Sequence, residues 1–172
     1  MSDHEVDPVA VAVLDALHER NETLATAESL TGGLIGELLT SVPGASRSYL
    51  GGAISYATRL KASLVGVPQS TLDDLGPVAA QTAAEMATGI SDRCDADWGV
   101  AVTGVAGPTP QDGHPVGQVF VSVAPRGGVV RTEELRLEGD RSAIREQSAA
   151  YALRLLARAL GLPGEWAADP AR

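Results

Sequence analysis

The run Trp98–Thr103, WGVAVT, constrains this chain most. A near-continuous apolar segment of strand length belongs to a strand buried on both faces. Such a strand needs a covering layer on each side, and helices carrying one apolar stripe supply it. The flanking sequence offers them. Ala10, Val13, Leu14 and Leu17 fall at the spacing of one helix face, and Leu34, Ile35, Leu38 and Leu39 mark a second helix stopped by SVPG. Ala83, Met86, Ala87, Ile90 and Cys94 line a longer helix, and Ile144, Ser148, Tyr151, Leu155 and Ala159 a last one, capped by Asp140 or Ser142. Strands are predicted between them: 23–28, 49–57 with a Gly pair, and 118–124. The last of these turns at Arg126-Gly127-Gly128 into a partner over 129–137. A short helix is expected over 59–65, and Thr71 with Asp74 three residues on resembles a helix start. Helices that interleave with strands, with one hairpin late in the chain, predict an α/β class: a three-layer αβα domain whose mixed sheet is flanked by helices. One domain over 1–172 is expected, with its core at about 8–160 and loose ends over 1–7 and 161–172.

Composition narrows the function. Aromatics are only 3%, so Ala, Val and Leu must fill the core. A net charge of −9 argues against a nucleic-acid or anionic-membrane surface, since both need a basic footprint. One cysteine, Cys94, allows no internal disulfide framework. Met1–Asp7 lacks the features of a signal peptide, and no apolar run approaches the roughly 18 residues of a membrane span. A cytoplasmic location is expected. The basic residues comprise 12 arginines and a single lysine, Lys61. Arginine keeps its proton at ordinary pH, whereas a desolvated lysine can lose it.

Three stretches carry candidate chemistry. In TAESLTGGLIG, Ser29 stands at a strand-to-helix corner, where backbone N–H groups are free to meet an anion or an oxyanion. Gly32 and Gly33 allow close approach there. Ser29 or Thr31 also reads as a plain helix cap, the commoner use of such a residue. A serine nucleophile needs a base. Of the three histidines, His4 lies near the chain end, His18 among charged residues, and His114 in a Gly/Pro loop. The base is therefore His114 or Lys61, with Tyr56 placed to orient the lysine or to sit at the sheet edge. TGVAGP, Thr103–Pro108, leaves the buried strand as a ligand loop or a tight turn. No Cys pair or spaced His pair suggests a metal, and Asp73-Asp74 and Asp95/Asp97 read as helix-end or solvated charge.

With these stretches in view, the chain resembles the C-terminal domain of the CinA (competence/damage-inducible) family. TAESLTGGLIGELLTSVPGAS, YLGGAISYATRLKASLVGV, AVTGVAGPT, PVGQVFVSV and GDR follow in family order over roughly residues 8 to 160. The resemblance implies an amidase that converts nicotinamide mononucleotide to nicotinic acid mononucleotide and ammonia, without cofactor or metal. It carries Ser29, Tyr56 and Lys61 over as catalytic residues. As substrate-binding residues it implies the loop residues Thr103, Gly104, Ala106 and Gly107, and Arg141 as a phosphate partner; the N–H groups of Thr31, Gly32 and Gly33 are the other expected seat for the phosphate. The expected partner is a small nucleotide, with no nucleic acid or membrane, in a homo-oligomer with a dimer favoured. Longer family members carry a further N-terminal domain, for which this chain is expected to have no room. The loop departs from the family pattern: its glycine run is missing, and His114 stands where a lysine is usual.

Overall fold

The computed structural model describes residues 6–167. Its elements are α1 (Pro8–Arg20), β1 (Leu24–Glu28), α2 (Leu34–Thr40), β2 (Tyr49–Ile54), α3 (Thr58–Ser63), α4 (Gln69–Leu75), α5 (Ala80–Cys94), β3 (Trp98–Gly104), β4 (Gln118–Pro125), β5 (Arg131–Arg136) and α6 (Arg141–Ala159), with single 3-10 turns at Ala45–Arg47 and Glu165–Ala167. The sheet runs β2-β1-β3-β4-β5. β1 is parallel to both β2 and β3, while β3, β4 and β5 are joined antiparallel. The fold is the α/β sandwich with a mixed sheet that the alternating pattern predicted.

The period-two alternation of strand side chains divides the core into unlike layers. Leu24, Val100, Val102, Val119, Val121 and Val123 pack with α1, α2 and α6. On the other face, Ala25, Ala27, Ala101 and Ala124 meet Met86, Ala87 and Ile90 of α5. Small side chains on that face let α5 lie close: a Cβ at Gly99 would stand 1.9 Å from the Ala87 carbonyl oxygen. Close packing of small residues supplies density that aromatics would otherwise provide.

Several local expectations shift. Thr71 starts no long helix: it lies inside α4, its hydroxyl donating to Glu85 at 3.1 Å. Gly76 and Pro77 then end that helix, and α5 begins afresh at Ala80. Asp140 caps α6 by accepting from the Ala143 N–H at 2.9 Å, whereas the Ser142 hydroxyl donates to Glu146. Asp7 is no loose end, since its carboxylate caps α1 by accepting from the Val9 and Ala10 N–H groups. Trp166 packs against the core. His4 and the extreme ends lie outside the described residues.

From β1 the chain crosses to β2 on one side and returns to β3 on the other. The carboxyl ends of these three parallel strands meet at that reversal, where open α/β sheets bind ligands.

Candidate active site

A cavity of about 230 Å³ opens at that reversal, lined by Ser29, Tyr56, Lys61, Thr103, Gly107 and Arg141 among others. Ser29 follows the last residue of β1. Its N–H continues the ladder to the Val102 carbonyl at 3.1 Å, which holds the residue in line with the strand. The chain then turns through Gly32 and Gly33, both at positive φ, and α2 begins.

The corner is capped by a residue that neither the serine nor the threonine reading named. Glu28, 2% exposed, turns its carboxylate onto the helix start and accepts from Gly33 N–H at 2.9 Å, Ile35 N–H at 3.2 Å and Gly36 N–H at 2.9 Å. A buried carboxylate is tolerable when several N–H groups and the positive helix end face it. Ser29 and Thr31 are therefore not the cap. The expectation that the Gly32 and Gly33 N–H groups hold a phosphate is also corrected. Gly32 N–H is taken by the Ser29 carbonyl at 3.0 Å, Gly33 N–H by Glu28, and the fixed carboxylate repels a second anion.

Lys61 comes from α3 and is 1% exposed, the bulkiest of the fully buried side chains. Its Nζ donates to the Ser29 Oγ at 3.0 Å and to the Ser55 carbonyl at 2.8 Å. No carboxylate pairs with it among the described residues. Burial favours the neutral amine and lowers its pKa from 10.5 to about 8. Ser55, another residue the sequence reading missed, ties the two sides together. Its N–H donates to the Glu28 carbonyl at 2.8 Å while its own carbonyl holds Lys61.

Tyr56 reaches the cavity but not the lysine. It is 60% exposed, and its hydroxyl accepts from Arg141 at 3.0 Å. Among the described residues no hydrogen bond joins Tyr56 to Lys61, so the expected contact that would let Tyr56 assist the lysine is absent: Ser55 turns inward to Lys61, and the Tyr56 hydroxyl goes to Arg141. Arg141 also donates to the Gly107 carbonyl at 2.6 Å, joining Tyr56 to the loop after β3. Gly104, Ala106 and Gly107 line the cavity. Thr103 does too, yet its hydroxyl is spent on the Pro77 carbonyl at 2.6 Å, so it shapes the wall rather than offering a donor.

His114 takes no part in the contact between Ser29 and Lys61. It pairs through Nδ1 with Gln118 at 2.8 Å and does not line the cavity, which removes the histidine-base alternative. Asp97 accepts from the Thr23 N–H and hydroxyl, and Asp95 pairs with Arg126. Among the described residues no cluster has the ligands to hold a metal ion, and no helix is long and apolar enough to cross a membrane.

Comparison with known proteins places this geometry in context. The family described as CinA C-terminal domain matches residues 6–160. A CinA-like protein from Frankia casuarinae is 48% identical over 158 residues, covering 91% of this chain and 36% of that protein. A CinA-like protein from Myxococcus xanthus is 42% identical over 150 residues, covering 86% and 35%. The chain thus spans about a third of the length of the curated relatives it matches. Among solved structures, competence/damage inducible protein CihA from Agrobacterium tumefaciens superposes with a TM-score of 0.87 at 35% identity, over 94% of this chain and 99% of that one. A competence-damaged protein (CinA) superfamily protein from Escherichia coli gives 0.86 at 29% identity, over 92% and 93%.

Proposed function

This chain belongs to the CinA C-terminal domain family, and on that premise we propose that it is a serine amidase that hydrolyses the carboxamide of nicotinamide mononucleotide, giving nicotinic acid mononucleotide and ammonia. The observation that carries the reading is the 3.0 Å contact between the Ser29 Oγ and the Nζ of a buried lysine that lacks a carboxylate partner. A nucleophilic hydroxyl beside an amine that loses its proton near neutral pH is the pair that acyl transfer requires.

Ser29 Oγ attacks the carboxamide carbon, and its proton passes to neutral Lys61. The carbonyl oxygen takes the negative charge. Collapse breaks the carbon–nitrogen bond, Lys61 returns the proton to the leaving nitrogen, and ammonia departs. Water attacks the acyl ester with Lys61 again as base, and the carboxylic acid leaves as Ser29 regains its proton. Tyr56 offers an aromatic face at the rim for the pyridine ring. Arg141, a cation beside it, suits the phosphate.

The test is ammonia release from a panel of nicotinamide mononucleotide, its dephosphorylated riboside and free nicotinamide. The mononucleotide should be the best substrate, and Ser29→Ala should lower kcat by about 10³-fold or more. Retention of more than about a tenth of wild-type turnover in Ser29→Ala would refute the nucleophile. Binding of the nucleotide with no ammonia released would make the domain a binding module instead.

A further inference from the structure

Arg145 lies one turn beyond Arg141 on α6, and its guanidinium reaches back to the nucleophile corner. Nε donates to the Leu30 carbonyl at 2.9 Å, and a terminal nitrogen donates to the Thr31 carbonyl at 3.0 Å. The planar guanidinium fork matches two neighbouring carbonyls in a way that a point charge does not. Among the described residues it makes no ion pair with a carboxylate. Nor does α6 need it for docking, since Ile144, Ser148, Ala149, Ala152, Leu153 and Leu156 are already buried. The turn is shaped around it: Gly32, at φ 59°, would place a Cβ 3.3 Å from the guanidinium.

Peptide planarity carries the effect onward. In a trans peptide the C=O and the following N–H point opposite ways. Among the described residues Arg145 alone holds the Leu30 carbonyl and shares the Thr31 carbonyl with the Leu34 N–H at 3.2 Å, so the Gly32 N–H points away from that carbonyl and lands on the Ser29 carbonyl at 3.0 Å. That bond fixes the Ser29–Leu30 peptide, whose N–H points the other way. Leu30 lines the cavity, and nothing among the described residues accepts from its N–H. We infer that Arg145 is a positioning residue for the hydrolysis, holding the turn so that the Ser29 hydroxyl and the Leu30 N–H face the same reacting carbon, the N–H as donor to its oxyanion. The inference rests on the serine-nucleophile reading above. An oxyanion donor helps only if it is held in place before the charge develops.

The experiment uses a fluorophosphonate, which phosphonylates an activated serine with loss of fluoride. Its phosphoryl oxygen takes up the charge in place of the amide oxygen. Labelling of Ser29 is timed by mass spectrometry in the wild type, Arg145→Lys and Arg145→Met, at a temperature where circular dichroism shows all three folded. Lysine keeps the charge and stem but holds at most one carbonyl; methionine holds neither. The wild type should label at Ser29, Arg145→Lys about tenfold more slowly, and Arg145→Met more slowly still, with the pH midpoint of labelling unchanged. Equal rates in the three proteins would overturn the inference while leaving the amidase standing. A moved midpoint would overturn it too, by placing the effect on Lys61. A wild type that does not label at Ser29 would overturn both.

Discussion

The cavity has two walls built on different principles. The inner wall, Ser29 at the carboxyl end of β1 and Lys61 from α3, is buried and backed by Ser55 and Glu28, with every one of these residues bonded to protein. The outer wall, Tyr56, Arg141 and the loop around Gly107, is more open, and two bonds from a single guanidinium tie Tyr56 to Gly107. Side chains locked by the sheet cannot follow a substrate, and side chains at the rim cannot exclude water. The inner wall is therefore suited to bond-making, which needs fixed geometry, and the outer wall to recognition, which tolerates adjustment.

The largest effect that separates the walls is expected at Lys61. Arginine there keeps a positive charge but never becomes a base, so Lys61→Arg should lower kcat by about 10³-fold or more. In the wild type the neutral amine is the working form, and its pKa is lowered to about 8. Plots of kcat/KM should therefore rise with pH through about 8 and level above it. A profile flat from pH 6 to 9, or an active Lys61→Arg, would remove the base from the inner wall.

An outer-wall change should act on a different constant. Arg141→Ala removes the rim cation and the tie between Tyr56 and Gly107. It should raise KM for the mononucleotide by about tenfold, with kcat changed less, and leave KM for the phosphate-free riboside nearly unaltered. Loss confined to kcat would place Arg141 with the chemistry and break the division of labour between the walls.

How much of this was legible beforehand follows the same line. The strand WGVAVT, the flanking helix stripes and the late hairpin were readable because burial periodicity is written in consecutive residues. Ser29 and Lys61 stood out by local context and by rarity. The residues that aim them did not. Glu28 accepts from N–H groups five to eight positions downstream, a spacing that no cap template contains. Ser55 acts through its backbone, which carries no residue signature. Arg145 works on carbonyls 114 and 115 positions away, visible only once α6 is docked. Tyr56 was misjudged for a related reason. Tyr56 stands only five positions before Lys61 in the sequence, but the lysine is buried while the tyrosine is exposed at the rim and bonded to Arg141.

The smallest effect probes what the inner wall costs the fold. An unpaired buried lysine is easier to hold neutral than charged. Its pKa is 10.5 when exposed and about 8 here, so between those values the unfolded chain binds more protons than the folded one, and stability rises with pH. Below pH 8 the full penalty applies, about 3 kcal/mol for a shift of that size. Lys61→Met removes the penalty but leaves the Ser55 carbonyl without its donor, which returns about 1–2 kcal/mol. At pH 7 the variant should thus be more stable than the wild type by about 1–2 kcal/mol, and above about pH 10 the advantage should vanish or reverse. Urea unfolding at the two pH values measures this. A gain at pH 7 that disappears in alkali, in a protein that no longer releases ammonia, would show stability given up at one side chain to keep a base inside the fold. A loss at both pH values would mean that the two hydrogen bonds of Lys61 outweigh its desolvation, and that the inner wall is a structural strut before it is a catalytic one.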